Sequence, residues 1–548
     1  MIKVKTSDIR KQELFIAALQ DGTLVPFCGA GMSILCPTHL PLAWDLKKNI
    51  LHNYCSGDDT LEHVFMSFSS ITDSDWNLAR LPLEYMLEAS YAEGLRDFES
   101  IMSFMGTSEP NWLHQTIADL SNKGICNEII TTNFDICIEK SCSSIANSVI
   151  HLHGSISDPN SLILTIGGIG RGLPNHIADS LRELHRNKIL LFLGYSGYDS
   201  DILDVLESVN GKPIYWLSLD DNMLGVSSRA KDLIKKVSGV AIIGDITELL
   251  YEIRRLAYLE TNCNIKCSCN PNWSQVIERS VGKLPIGDRA RYVARICLEA
   301  NDLDNAITAY NIALNNTRNY TIKAKILVNL SFVYYMKRDI ASLRELAYKA
   351  KQYGLMGKNA TFVAHAYNNI GISYLYQQEP DPLLALTYFL KAALIHEQLV
   401  LNGFKKMQNL RGAAQSYNNI GLAHMKVNNY INAKNAFQKS IKLKEELGDL
   451  IGKAISSLSL AQLECEHNDL EHGLKRHFDS IRTLQEFSKL VSIGYFKGEL
   501  GKFFYSSGNL KDAENFLKEA VAIYKSVDGP KEELLELSKM LTKIREMS

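Results

Sequence analysis

The sequence predicts an α/β domain on a largely parallel sheet, followed by an all-α solenoid of helical repeats. Two observations carry this. Up to about Leu256, short apolar runs alternate with helical stretches, the pattern of parallel strands joined by crossover helices. From about residue 288 the chain is helical throughout, and a small-residue slot returns at steps of 40 to 50 residues. At 548 residues the chain is also too long for one ordinary domain.

In the first half, strands are expected at Thr23–Phe27, Glu128–Ile130, Ser148–Leu152, Lys188–Leu193, Pro213–Leu217 and Gly239–Ile243. Residues 45–110 carry helical patterning and no convincing strand, and read as a helical insertion packed over the site within a domain spanning 1–257. Residues 258–287, broken by Asn262, Asn264, Asn270, Pro271, Asn272, Gly282 and Pro285, read as a linker. Cys263, Cys267 and Cys269 lie within it, but their spacing fits no common four-ligand zinc site, so a loop is expected.

The second half, 288–548, is organised by a recurrence. Tyr367-Asn368-Asn369-Ile370-Gly371 returns as Tyr417-Asn418-Asn419-Ile420-Gly421, and Ala461 and Gly501 fill the same slot further on. A small residue there lets a paired helix pack closely, so that apolar positions stack repeat on repeat. The units resemble tetratricopeptide repeats of the longer kind, about six of them, with Lys531–Met547 as a closing helix. That resemblance implies a groove for a protein or peptide partner. Paired asparagines are not favoured helix formers, so Asn368 and Asn418, with Asn369 and Asn419 beside them, are expected to read a peptide backbone there; plain exposed polar positions are the alternative.

Composition narrows the function. A hydrophobic fraction of 46% with 22% charge is ordinary for a globular protein, and a net charge of −2 argues against a dedicated nucleic-acid binder. No run approaches the roughly 18 apolar residues of a membrane span. The N-terminus lacks the apolar core of a signal peptide, and the eleven scattered cysteines read as reduced thiols. A cytoplasmic protein is expected.

Four strands end in motif residues: Cys28-Gly29-Ala30-Gly31-Met32-Ser33, Thr131-Thr132-Asn133-Phe134-Asp135, His153-Gly154-Ser155 and Gly194-Tyr195-Ser196-Gly197-Tyr198-Asp199. Such endings suit a nucleotide lying across the carboxyl edge of a Rossmann-like sheet. A Gly-Ala-Gly turn can bring backbone N–H groups to a diphosphate, which makes Gly29, Ala30, Gly31 and Ser33 candidate contacts; a plain strand-to-helix turn is the alternative. Ile34 stands where the third glycine of the dinucleotide fingerprint would be, against a dehydrogenase.

In this order the four motifs resemble the sirtuin family over roughly residues 10–257. The resemblance implies NAD⁺ as substrate. It gives Asn133 the water and ribose, Asp135 the nicotinamide carboxamide, and His153 the role of general base, with His151 as its competitor; a pair that only caps a helix start is the alternative for Asn133 and Asp135. It places Thr132, Gly194, Ser196, Asp199 and Asp245 among the NAD⁺ contacts, although Asp245 is nearly as well placed to cap the following helix.

The departures matter too. No cysteine lies between His153 and Asp199, where deacylating sirtuins carry their zinc ligands, and the loop after Ser33 reads Ile34-Leu35-Cys36-Pro37 in place of the deacylase sequence. This zinc-free pattern resembles the sirtuin-like effectors of bacterial antiphage systems. The expectation is a metal-free NAD⁺ glycohydrolase, working as a homo-oligomer or with a companion protein and triggered through its repeats. A protein deacylase or ADP-ribosyltransferase, and a non-catalytic sensor of an ADP-ribose derivative, are the alternatives.

Overall fold

The computed structural model describes residues 2–69, 81–95, 102, 104–142, 144, 148–260, 273–404, 406–467, 469–487, 489–526 and 530–547. Cys263, Cys267 and Cys269 lie outside the described residues. Among the described residues seven cysteines, including Cys28, Cys126 and Cys137, are free. Cys36 is disulfide-bonded, which corrects the expectation of reduced thiols throughout.

The chain divides into two compact units. The first comprises Met1–Asn53 and Leu83–Leu284, the second Tyr54–Pro82 and Pro285–Ser548. The first is a seven-stranded, wholly parallel sheet of β1 (Ile2–Lys5), β2 (Leu24–Cys28), β3 (Ile129–Thr131), β4 (Val149–His151), β5 (Ile189–Leu193), β6 (Tyr215–Ser218) and β7 (Val240–Ile243). The strand order is β1-β7-β6-β5-β2-β3-β4. The winding direction therefore reverses between β2 and β5, the place where open α/β sheets bind ligands.

Both sheet faces are covered, which is why the strands read as continuous apolar runs. One face packs on Phe15, Leu113, Ile117 and Leu249. The other packs on Leu181, Leu184, Ile202, Leu206 and Leu233. Phe192 stacks on Trp216 at 4.1 Å between centroids and on Phe27 at 4.5 Å, locking β5 between β6 and β2. β1 escapes the sequence reading because it is a mostly exposed edge strand with two lysines in four residues.

In the second unit, six helix pairs run from Ile286–Glu299 with Leu303–Asn315 to Leu490–Ser506 with Leu510–Ser526, followed by Lys531–Met547. The small-residue slot works as expected. A Cβ on Gly371 would lie 2.5 Å from the Phe389 ring, and one on Gly421 would lie 2.5 Å from Phe437. Each ring belongs to the second helix of its pair and fills the space a side chain would need.

Part of the helical insertion belongs here and not with the sheet. Tyr54 stacks on Tyr292 at 3.9 Å, Arg289 donates to the Ser56 carbonyl, and Asn305 Nδ2 donates to Ser67 Oγ at 2.8 Å.

The asparagine pairs correct an expectation. Asn368, Asn369, Asn418 and Asn419 are all buried. Asn368 Nδ2 donates to Ser416 Oγ at 2.8 Å, Asn369 Nδ2 to Ser331 Oγ at 2.7 Å, and Asn418 Oδ1 accepts from Ser456 at 2.7 Å. Each bond joins the first helix of one repeat to the first helix of the next, so these residues cement the stack and do not face a peptide.

The helix Pro382–Leu401 is long and apolar enough to cross a membrane. It is the second helix of its repeat and buries Ala385, Phe389, Ala392 and Ala393, while Leu383, Leu390, Leu394 and Leu401 are exposed.

Candidate active site

The carboxyl ends of β2 and β5 meet backbone to backbone. Gly29 N donates to Leu193 O at 2.9 Å and Gly31 N to Gly194 O at 3.0 Å. A Cβ on Gly29 would lie 2.5 Å from Gly194 O, and Gly194 itself adopts φ +61° with no room for a side chain against Gly31. The glycines are thus required by the fit of the two strand ends. The two N–H groups expected to face a diphosphate are spent on that fit, which corrects the sequence reading; Ala30 is exposed beside them.

Asn133 and Asp135 lie just beyond β3, in the loop before the helix Cys137–Ser141. Their anchor is Ser33. Its buried hydroxyl donates to Asp135 Oδ2 at 2.9 Å, accepts from Asn133 Nδ2 at 3.2 Å, and lies 3.2 Å from His114 Nε2. Asn111 N donates to His114 Nδ1 at 3.1 Å, so the proton of this neutral ring sits on Nε2 and points to Ser33. Burial lowers the His114 pKa and keeps the ring neutral, although Asp135 opposes it. Ser33, expected as a dinucleotide contact, is therefore the hub that orients Asn133 and Asp135. Thr132 is half-buried and its N–H donates to Cys28 O at 3.1 Å.

The two histidines after Ile150 separate cleanly. His151, the last residue of β4, holds Asn133 O at 2.9 Å through Nδ1 and Glu139 Oε1 at 2.6 Å through Nε2. Both ring nitrogens face acceptors. Burial opposes a charge there, but Glu139 and the Asn133 carbonyl outweigh it and the pKa is raised. His151 is a bracket between two loops.

His153 is buried, with Nε2 3.1 Å from Asp201 Oδ2. Burial opposes its charge as well, but the bond to Asp201 and the charges of Asp199, Asp201 and Glu84 raise its pKa to about 9. Gly154, next in the chain, takes φ +83°, and a Cβ there would lie 2.2 Å from Ser161 O. That accounts for the His-Gly pair.

Near His153, Asp199, Glu84 and Lys47 are displaced from their ordinary pKa values. Burial raises Asp199, which precedes the helix Ser200–Glu207, and His153 partly offsets the rise. Burial and then Asp199 raise Glu84, on the helix Leu83–Glu93. Lys47, on Ala43–Cys55, is lowered by burial to about 8. Ser196 is exposed. Asp245 is exposed too and caps the helix Ile246–Leu256 through Thr247 N at 2.7 Å, which is the alternative weighed above.

Sequence reasoning missed His114, Asp201 and Glu84. His114 had a signal: Asn111 and His114 form a capping box at the start of an apolar helix, with histidine in the usual place of glutamate. His114, Asp135 and Cys137 bring ligand-type atoms within 4.8 Å of one another. Here the His114 and Asp135 atoms are engaged in hydrogen bonds, with Asp135 Oδ1 accepting from Cys137 N at 3.1 Å. Burial, and then Asp135, pushes the Cys137 thiol far up.

A SIR2-like domain model matches residues 142–214, the stretch that carries His153, Asp199 and Asp201. Tetratricopeptide-repeat models match 414–447 and 498–530. No curated protein matches the chain. Among solved structures, a Rap protein complexed with competence and sporulation factor is 15% identical, over 58% of this chain and 87% of that one, with a TM-score of 0.37. A signal transduction ATPase with a tetratricopeptide repeat sensor from Pyrococcus horikoshii is 14% identical, over 98% and 92%, with a TM-score of 0.36. The chain carries a SIR2-like domain of parallel-sheet fold joined to tandem tetratricopeptide repeats.

Proposed function

We propose that the first unit is an NAD⁺ glycohydrolase, cleaving the bond between nicotinamide and ribose with water to give nicotinamide, ADP-ribose and a proton. The observation that carries this is the pairing of Asn133 and Asp135 on one serine hub, at the sheet edge that also holds the buried His153. Cleavage passes through a cationic, oxocarbenium-like sugar, as in glycoside hydrolysis. Asp135 holds the carboxamide of the leaving nicotinamide, Asn133 holds the attacking water or a ribose hydroxyl, and His153 takes the proton. With a pKa of about 9, His153 is protonated in the free chain at neutral pH. The positive nicotinamide ring of bound NAD⁺ lowers that pKa and frees the imidazole to accept.

The reaction needs no metal. An unrestrained hydrolase would drain its own cell of NAD⁺, so the activity is gated. We assign the gate to the repeats, which bind a protein or peptide trigger, and the whole to a bacterial antiphage effector acting as an oligomer in the cytoplasm. The test is to incubate purified full-length protein with NAD⁺, with and without acetylated peptide and an infected-cell extract, and to follow free nicotinamide. Release that requires acetylated peptide would make the enzyme a deacylase, and no release under any condition would make it a sensor.

A further inference from the structure

His153 is held on three sides. Its backbone is pinned by Gly154, whose turn leaves no space for a side chain, and by the bond from Ile163 N to His153 O at 2.9 Å. Its ring is pinned by Asp201, 3.1 Å from Nε2, with only 5% and 1% of the two side chains exposed. Asp201 is itself fixed. It lies in the first turn of Ser200–Glu207, where unpaired N–H groups favour a carboxylate, and its Oδ1 accepts from Ile202 N at 3.0 Å. One carboxylate oxygen is thus tied to the helix start and the other is aimed at the imidazole.

An ionised carboxylate can only accept, so the bond requires a proton on Nε2. In the neutral ring the lone pair then falls on Nδ1. We propose that Asp201 is the positioning residue of His153: it holds the Nε2 proton, fixes the ring's orientation and tautomer, and leaves Nδ1 as the nitrogen that accepts a proton. The reaction in which that nitrogen acts is the NAD⁺ cleavage proposed above, and this inference rests on that reading only for the kinetic part of its test. A carboxylate that orients a catalytic imidazole through its far nitrogen is a recurring device, because it selects one tautomer and stabilises the imidazolium formed on proton transfer.

Other charges face the ring. Asp199 precedes Asp201 by two residues, Glu84 approaches from Leu83–Glu93, and Lys47 acts on Glu84 from Ala43–Cys55. Asp201 differs from Asp199 and Glu84 in having a hydrogen bond to the ring, so its removal alone alters the tautomer as well as the charge.

The experiment uses full-length protein with isotope-labelled histidine rings, the His153 signal being identified by its loss in His153→Gln. In the wild type the neutral ring is expected as the Nε2–H tautomer. Asp201→Asn keeps the shape and removes the charge, and should lower the His153 titration midpoint by about 1–3 pH units. Asp201→Ala removes the bond and should abolish the tautomer preference. In nicotinamide release, Asp201→Asn should lower kcat on the order of 10²-fold and leave KM for NAD⁺ within about threefold, with the acid limb of the pH profile moved the same way. Asp201→Glu should recover part of the rate.

An unchanged His153 midpoint in Asp201→Asn would overturn the proposal, as would an Nδ1–H tautomer in the wild type. If the ring responds as expected but even the wild type releases no nicotinamide, the positioning role stands and the glycohydrolase reading fails.

Discussion

Asparagine marks both units of this molecule, and it does different work in each. Asn133 shares a buried hub with Ser33, His114 and Asp135, one strand end away from a histidine surrounded by carboxyl groups. Asn368, Asn369 and Asn418 are buried among serine hydroxyls and a backbone carbonyl, each tying one repeat to its neighbour. Burial of a polar residue is common to the two. What separates them is charge: near Asn133 the pKa of His114 is lowered and those of His151 and His153 are raised, which is the physical mark of a site prepared for proton transfer. In the repeats the amides themselves bond only hydroxyls and a carbonyl, even where the buried Lys444 donates to Ser456 behind Asn418, which is the mark of architecture.

Substitution breaks the comparison most directly. Asn133→Ala or His153→Ala should cut nicotinamide release by at least about 10²-fold, and the thermal midpoint of Asn133→Ala should stay near that of the wild type. Asn368→Ala with Asn418→Ala should do the reverse. Each removes one hydrogen bond from a buried hydroxyl that keeps its others, at about 1 kcal/mol, so the midpoint falls while turnover of NAD⁺ by the purified protein holds. A repeat double variant that keeps full stability would mean that these bonds do not carry the stack.

The next effect is on pH. The folded pKa of His153, about 9, stands above the roughly 6.5 of an unfolded chain. Its contribution to stability is therefore complete below about pH 6.5 and is lost as pH rises through about 9. The difference in thermal midpoint between the wild type and His153→Gln should narrow over that range. Turnover per NAD⁺ encounter runs the other way, since the base works only when neutral: kcat/KM should rise on a limb centred nearer 9 than 6.5. A limb at 6.5 would show that the acids around His153 do not act on it in solution.

Much of this contrast was legible in the sequence. Apolar runs covered on both faces gave β2 to β7 within a residue or two, and the Gly371 and Gly421 slots anticipated the packing of Phe389 and Phe437. The motif residues came out on one sheet edge because parallel strands present their carboxyl ends together. What stayed hidden was pairing at a distance. Nothing local links Ser33 to His114, 81 residues away, or His153 to Asp201, 48 residues on. The direction of a helix face was hidden as well: the asparagine pairs look like a surface in one dimension, and only the stacking of repeats turns them inward.

His151 supplies a smaller and sharper comparison with its neighbour. Its hydrogen bond to the site is to the Asn133 carbonyl, so His151→Ala should loosen the loop and lower turnover by on the order of tenfold, well short of His153→Ala. Equal losses in the two variants, or a dead His151→Ala beside an active His153→Ala, would reverse the assignment of the base.

The smallest expected effect is that of a chelator, which is none. The atoms that could hold an ion, on His114, Asp135 and Cys137, are close enough together to make the question real. To bind there, zinc would have to take His114 Nε2 from Ser33 and an Asp135 oxygen from Ser33 or Cys137 N, and it would need a thiolate from a cysteine that burial keeps protonated. Loading the metal would thus dismantle the hub that orients Asn133. Treatment with a strong zinc chelator should leave nicotinamide release unchanged, and metal analysis of the purified chain should find less than one equivalent. A tightly bound zinc whose removal abolishes the reaction would mean that the hub is an emptied metal site, and would restore the deacylase reading.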